Sequence, residues 1–426
     1  MELQNGQFLV GGYPVLKLAE EFDTPLYFYD ADKITGQHRQ LSNAFAGVNH
    51  SIKYALKANS NLNILRLLKN LGAGLDAVSI NEVRLGLKAG FAPSEILFTP
   101  NCVSIDEIRE GVKEGVRINI DNISILEQFG GEFGNSYPVC IRINPHLLGG
   151  AHEHIQTGHI DSKFGISIHQ IRHAMRVITT NEINVEGLHM HTGSDILDAQ
   201  VFLNGLQILF NIANDFPDLA YLDFGSGFKV AYRDGDVTTN IEELGKLVTE
   251  SFNAFCKDYG RDLELWFEPG KFLVSQAGYL LVKVNVVKQT VSTVFAGVDS
   301  GQNHLMRPMM YDAYHKITNV SNPGGVQRVY TVVGYICETD TFGADRKLPE
   351  VREGDLLVMH NAGAYGFSMS SNYNSRFRPA EILIHEGRPH LIRKRETQVD
   401  LLKNQVELDF LKQERSTAKQ KASEVK

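Results

Sequence analysis

Ser51-Ile-Lys-Tyr-Ala-Leu-Lys57-Ala-Asn-Ser60 is an apolar, β-leaning run that ends on a lysine followed by a polar turn. The strand ends of a barrel or an open α/β sheet are where loops gather side chains around a ligand on a rigid scaffold. A single lysine is ordinarily a surface residue, so the weight of Lys57 depends on what the other strand ends carry. Outward from it, short apolar runs alternate with longer amphipathic ones. Candidate strands end near Lys57, Asp76, Thr99, Asp121, Asn144, His191, Gly225 and Glu268, eight in all. Between them Asn61–Leu71, Asn81–Ala89, Asp106–Glu114 and Ala199–Asn214 space their apolar residues by three and four, as helices do. Eight strand–helix alternations over about 220 residues fit a closed (β/α)8 barrel, with a doubly wound open sheet as the alternative.

From residue 273 the rhythm turns to β-rich runs: Tyr279–Val287, Tyr330–Ile336, Asp355–Met359 and Glu381–Ile384. The expected organisation is an α/β (β/α)8 barrel over 25–272 and a second, mostly β domain from 1–24 and 273–400. The segment before Asp30 would pair with that second domain and make it discontinuous. The charged end, 401–426, reads as a helical or solvated tail.

Bulk properties narrow the function. The chain has 426 residues, 43% of them apolar, and no uninterrupted apolar run approaches the length of a membrane span. Its start, Met1-Glu-Leu-Gln-Asn-Gly, lacks the basic and apolar pattern of a secretory signal, so a cytoplasmic protein is expected. Cys102, Cys140, Cys256 and Cys337 form no C-x-x-C pair, which argues against zinc or disulfides. A net charge of −8 without a basic cluster gives no reason to expect nucleic acid or an anionic membrane as partner. A small molecule is the better expectation.

The strand ends carry a polar set that a packed core would not select: Lys57, Asp76, Arg142, His191, Ser194, Gly225-Ser-Gly227 and Glu268-Pro-Gly-Lys271. Phe224-Gly-Ser-Gly-Phe228 is either a tight strand-to-helix turn or an anion cradle, and barrels often bind phosphate after strands seven and eight. In His189-Met-His191 alternation sends both histidines to one side; a packed neutral histidine is the commoner case, and no third zinc ligand at a recognisable spacing is evident. Glu268 ends an apolar run and needs a partner, for which a cationic ring nitrogen is suited. Lysine, anion cradle and carboxylate together outline a pyridoxal phosphate site, in which burial and nearby cations are expected to lower the Lys57 pKa.

Tyr54-Ala-Leu-Lys-Ala-Asn59, His189-Met-His-Thr-Gly-Ser194, Phe224–Phe228, Glu268-Pro-Gly270, Arg307-Pro-Met-Met-Tyr311, Cys337-Glu338 and Gly363-Ala-Tyr-Gly-Phe-Ser-Met-Ser-Ser-Asn-Tyr-Asn374 resemble the diaminopimelate decarboxylase family, within the alanine-racemase-like (fold type III) pyridoxal phosphate enzymes. The similarity runs in order from about Pro25 to Leu402. It implies decarboxylation of meso-2,6-diaminopimelate to L-lysine and CO2, the last step of lysine biosynthesis. By the same resemblance Lys57 would form the Schiff base, His191 would stack on the ring and Glu268 would pair with its nitrogen. Ser194, Gly225, Ser226, Gly227 and Tyr365 would surround the phosphate, with Tyr365 also near the substrate. Arg307 and Tyr311 would bind the distal carboxylate and Glu338 the distal ammonium. Cys337 would protonate the reacting carbon, acting with Glu338 across a homodimer with shared sites.

Three positions depart from the family pattern. Lys271 stands where the family has arginine and would act beside the substrate only as a point charge. Ser226 interrupts a triple glycine, and Asp195 replaces a neutral amide with a charge that the sequence leaves unbalanced. The loop His152-Glu-His-Ile-Gln-Thr-Gly-His159 resembles the family's H-x-x-I-x-T-G loop more than a metal site. The rival readings are a decarboxylase of the same fold acting on ornithine, lysine, arginine or carboxynorspermidine, a racemase, and an inactive cofactor carrier. Arg307 and Cys337-Glu338 argue against the first, Glu268 against the second, and Lys57 with Cys337 against the third.

Overall fold

The computed structural model describes residues 1–146, 162–191, 193 and 195–412. Eight parallel strands form its first body: β1 (His50–Ala55), β2 (Gly74–Ala77), β3 (Ile96–Phe98), β4 (Arg117–Ile120), β5 (Val139–Asn144), β6 (Val185–Met190), β7 (Tyr221–Asp223) and β8 (Glu264–Phe267). Each pairs with the next, and β8 returns to β1 through Leu265 opposite His50 and Phe267 opposite Ile52. That closure excludes the doubly wound alternative.

Helices cover the outside because their apolar faces have nowhere else to go. Leu62–Asn70 buries Ile64, Leu65 and Leu68, and Asn61 caps it by accepting the Asn63 N–H. Ile80–Ala89 is capped by Ser79, which accepts the Glu82 N–H, and ends at Gly90 in the left-handed region.

Pleating sends alternate residues inward, and the floor of this barrel is plugged. Tyr221 and Trp266 stack with ring centroids 3.5 Å apart, the buried Lys53 Nζ lies 4.0 Å from the Trp266 ring, and Arg117 reaches both rings. Arg117 is neutralised by Glu186 at 2.6 Å. A ligand therefore has only the opposite, C-terminal mouth, where the inward positions become polar.

The second body is a sheet of β9 (Gly278–Gln289), β10 (Val294–Val298), β11 (Ile317–Asn319), β12 (Gln327–Val333), β13 (Thr341–Pro349), β14 (Leu356–Met359), β15 (Ala380–His385) and β16 (Arg388–Arg393). Leu26–Asp30 is one of its central strands, antiparallel to β9 and parallel to β15. This is the pairing expected for the segment before Asp30, and it makes the second body discontinuous, although the strand itself falls inside the 25–272 range expected for the barrel. The barrel is complete without it, and its continuous apolar run suits a strand covered on both sides, Leu26 and Phe28 facing one core and Tyr27 and Tyr29 the other.

The two bodies meet at Glu381 on β15, whose side chain is fully buried. It accepts from Tyr29 Oη at 2.7 Å, from Asn61 Nδ2 at 3.0 Å and from Arg393 Nε. Asn61 is the cap just beyond Lys57, so this carboxylate fixes the β domain against the loop that bears the lysine. Glu381→Ala should lower the unfolding free energy by about 3 kcal/mol, because three donors lose a buried acceptor. Urea unfolding of Glu381→Ala and Glu381→Gln checks this: the isosteric amide should cost less, and equal, negligible losses would refute the role.

Candidate active site

Lys57 lies in the single turn Leu56–Ala58 that follows β1. Ala55 is in register with Asp76 on β2, and this brings Lys57 Nζ to 3.5 Å from Asp76 Oδ2. The lysine side chain is 45% exposed into the mouth, whereas that of Asp76 is 1% exposed. Enclosure alone disfavours the ammonium, but Asp76, Tyr365 and Glu268 outweigh it and raise the Lys57 pKa. The expected lowering is therefore corrected: carboxylates, not cations, dominate this lysine's surroundings. Asp76 itself is pushed up to about 6 by burial and by the charge of Glu268. The segment around Tyr365 closes over this turn, with Tyr365 N–H to Ala58 O at 2.8 Å and Asn59 Nδ2 to Gly363 O at 3.3 Å.

Glu268 follows β8, and its Oε2 is 3.2 Å from His189 Nε2. His189 Nδ1 in turn meets Asn119 Nδ2 at 2.8 Å, and His189 is the register partner of Asp223. Ligand atoms of His189, Asp223 and Glu268 lie within 4.8 Å of one another, all buried. Glu268 Oε1 and Asp223 Oδ2 are buried with no hydrogen-bond partner among the described residues. Burial opposes ionisation of Glu268, but His189 and Lys57 overcome it and hold the carboxyl down at about 2.

The glycine-rich turn is shaped by close approach. Gly225 (φ +60°) and Gly227 (φ +139°) occupy backbone regions that favour glycine; a Cβ on the first would meet His191 Nδ1 and on the second Ile196 and Gly193 O. Its amides are less open than the sequence suggested. Gly225 N–H donates to Asp223 Oδ1 at 2.8 Å and Ser226 N–H to His191 Nδ1 at 3.2 Å. His191 is consequently a neutral acceptor, and burial, with Arg142 nearby, drops its pKa to about 3. Ser194 and the loop 152–159 lie outside the described residues.

Arg307 is a buried guanidinium enclosed by aromatic rings. Its Nη2 donates to Tyr232 Oη at 3.2 Å, and Cζ lies 5.6 Å from the ring of Tyr232 and 5.9 Å from those of Tyr311 and Tyr365. Its Nε is buried without a hydrogen-bond partner, and no carboxylate among the described residues pairs with it. Lys271 differs: Nζ is 2.6 Å from Asp195 Oδ1, with side-chain exposures of 11% and 17%. The two departures noted in the sequence thus balance each other in charge, with Asp195 taking one of the three N–H donors of Lys271.

Cys337 and Glu338 are exposed on the second body. Glu338 accepts from Tyr373 Oη at 2.7 Å and from Gln302 Nε2 at 3.1 Å, and Asn374 Nδ2 is 3.4 Å from Cys337 Sγ. Asn119, Asp223 and Tyr232 are the residues that sequence reasoning missed. The first two were accessible from strand alternation, since Asn119 precedes Asp121 by two and Asp223 precedes Gly225 by two. Tyr232 sits in an irregular loop and gave no periodic signal.

The arrangement fits pyridoxal phosphate on its own terms. A buried carboxylate oxygen lacks a donor, a lysine faces the same mouth, and a cradle that Cβ atoms would fill lies beside a neutral histidine. Residues 31–275 match the pyridoxal-binding domain of the pyridoxal-dependent decarboxylases. The chain is 40% identical to the diaminopimelate decarboxylase of Methanothermobacter thermautotrophicus, over 94% of this chain and 96% of the relative. The crystal structure of diaminopimelate decarboxylase from M. jannaschii superposes with a TM-score of 0.88 at 34% identity, covering 96% of this chain and 98% of that one. The diaminopimelate decarboxylase of Helicobacter pylori complexed with L-lysine gives 0.84 at 33% identity, over 91% and 98%.

Removing the Asp76 charge should release Lys57. Asp76→Asn takes away an anion that favours the ammonium, so the amine deprotonates at lower pH, by about one unit or more. Acylation of Lys57 across a pH series, read by mass spectrometry, measures the shift; an unchanged profile would show that Asp76 does not govern it.

Proposed function

The chain belongs to the diaminopimelate decarboxylase family of pyridoxal-dependent decarboxylases, and from its site we infer that it converts meso-2,6-diaminopimelate to L-lysine and CO2. The observation that carries the substrate is Arg307, a buried guanidinium with no carboxylate partner among the described residues, facing the same mouth as Lys57. A carboxylate at the end of the substrate distant from the reacting carbon supplies that missing partner. Ornithine and lysine offer only an ammonium there and would leave the guanidinium uncompensated.

Bound pyridoxal phosphate supplies an electron sink for the pair left when CO2 departs. Lys57 would hold the cofactor through Nζ. Glu268 Oε1 would keep the ring nitrogen protonated, and neutral His191 would cover one face of the ring without adding charge. Gly225, Ser226, Gly227 and Ser194 would line the phosphate. Tyr365, fixed to Ala58, would close the site over phosphate and substrate, and Tyr311 would assist Arg307. Lys271 would contribute indirectly, its charge being taken by Asp195.

Cys337 would return a proton to the reacting carbon while Glu338 holds the distal ammonium. Their loop is built around Asp340, which accepts the Ile336 N–H at 2.9 Å and the Gln302 N–H at 2.6 Å. Gln302, Tyr373 and Asn374, the partners that hold Cys337 and Glu338, all lie within 273–400, which supports delivery of the pair to the barrel of a second copy. In this division residues 25–272 carry the cofactor, and 1–24 with 273–400 carry the proton donor. A cytoplasmic setting belongs to the same proposal, supported by four free thiols, two of them exposed.

CO2 release from meso-diaminopimelate should far exceed release from ornithine, lysine or arginine when pyridoxal phosphate is added, and preference for any of those three would overturn the substrate. Arg307→Ala should cut kcat/KM on diaminopimelate by about 100-fold or more while sparing any slow activity on lysine; equal losses would remove its role. Mixed Lys57→Ala and Cys337→Ala subunits, each inactive alone, should regain activity. If they exchange subunits and stay inactive, the shared site is wrong.

A further inference from the structure

We propose that Asn119, His189 and Asp223 form a positioning set that holds Glu268 as an ionised carboxylate with a single oxygen, Oε1, left for the ring nitrogen of the cofactor. The proposal rests on the pyridoxal phosphate reading above and deepens it. Asn119 and His189 are on β4 and β6, which are not neighbours, so their 2.8 Å contact crosses the barrel interior rather than following the sheet. Both residues are buried, as are Asp223 and Glu268.

The tautomer follows from the partners. When Asn119 Nδ2 donates to His189 Nδ1, the imidazole proton sits on Nε2, which lies 3.2 Å from Glu268 Oε2 as a close contact rather than an aligned hydrogen bond. With the amide turned over, Nδ1–H would donate to Oδ1 and a neutral ring would aim its Nε2 lone pair at a carboxylate. With the Asn119 amide in the orientation of the structure, and with Glu268 on the far side of the ring, the Nε2–H tautomer is the one assigned to His189. A neutral Nε2–H at that distance favours one oxygen of Glu268 through its dipole without supplying a full charge, so the negative charge remains for a ring N–H+. An imidazolium in the same place would compete with the cofactor for it.

Asp223 completes the set from below. Its Oδ1 accepts the Gly225 N–H, and the Glu268 N–H donates to Gly225 O at 2.6 Å. One glycine thus ties the two carboxyl groups together at the edge of the cradle. Two ionised carboxylates cannot share this buried space at low cost. Burial and Glu268 drive the Asp223 pKa well upward, so Asp223 is the neutral member of the pair, and the nearby Lys57 ammonium favours the charged form of Glu268.

The test begins without cofactor. In apoprotein carrying 15N-labelled histidine, with His189 assigned by its loss in His189→Gln, the nitrogen shifts should report the Nε2–H tautomer at pH 7.5, and Asn119→Leu should give a tautomer mixture. In the holoenzyme, His189→Leu should move the bound-cofactor absorbance toward the unprotonated-ring form. It should also lower kcat about 10- to 100-fold with KM within about threefold, the scale of one hydrogen bond to a charged group. His189→Gln, which can still donate toward Oε2, should recover most of both. An Nδ1–H tautomer or an imidazolium in the wild type overturns the proposal, as does wild-type absorbance and kcat in His189→Leu. Should His189→Leu fail to fold, the tautomer in the wild type and in Asn119→Leu still decides. Wild-type protein that takes up no pyridoxal phosphate would instead refute the cofactor reading, leaving the apoprotein result to stand by itself.

Discussion

Three carboxylates share the mouth of a closed barrel, and each must be satisfied where bulk water does little to help. Asp76, Asp223 and Glu268 are all buried, and the mutual repulsion of three negative charges in that space would oppose folding. Each is relieved by a different device. Asp76 takes Lys57, Asp223 takes a backbone amide and a proton, and Glu268 takes His189. These devices differ in what they leave over: a charged lysine facing the mouth, and one carboxylate oxygen without a donor among the described residues. The chemistry of the site is the remainder of an electrostatic problem set by the fold.

The rest of the molecule keeps that remainder in place. The floor of Lys53, Trp266, Tyr221 and Arg117 prevents approach from the strand N-termini, so ligand and proton traffic are confined to one end. On that end the second sheet does two things through separate contacts. Glu381 clamps the cap beyond Lys57, and the Tyr365 amide seizes Ala58 O directly beside it. The β domain is accordingly part of the active site even before a second copy is considered.

The strands were legible because a parallel sheet covered on both faces writes itself as short apolar runs, and their polar last residues mark the mouth. Lys57, His191, Gly225 and Glu268 could be placed that way with no knowledge of register. What escaped depended on register or on distant neighbours. Leu26–Asp30 is expected to join the second sheet, but its place between β9 and β15 is fixed only by register. The direction of the Lys57 shift turns on a residue nineteen positions away, and the engaged amides of Gly225 and Ser226 turn on Asp223 and His191. β10 and β13 gave weaker signals: the charged residues Asp345, Arg346 and Lys347 interrupt the apolar pattern of β13, and β10 is five residues long with Gly297 inside it.

The Lys271–Asp195 pair shows how two departures that look damaging singly can preserve a site. A lysine buried near Arg307 without a counter-ion would add a second uncompensated cation, and its desolvation would penalise the folded state. Asp195 offsets that charge at hydrogen-bond distance, and an ammonium, being a point charge, cannot reproduce the bidentate fork with which a guanidinium holds a planar anion. Arg307 keeps its fork because tyrosines, not acids, surround it. Recognition of a distal carboxylate is thereby concentrated on one guanidinium, whose selectivity comes from the cost of leaving it alone. A substrate bearing only an ammonium at that end would impose this cost, whatever contacts it made elsewhere in the barrel mouth.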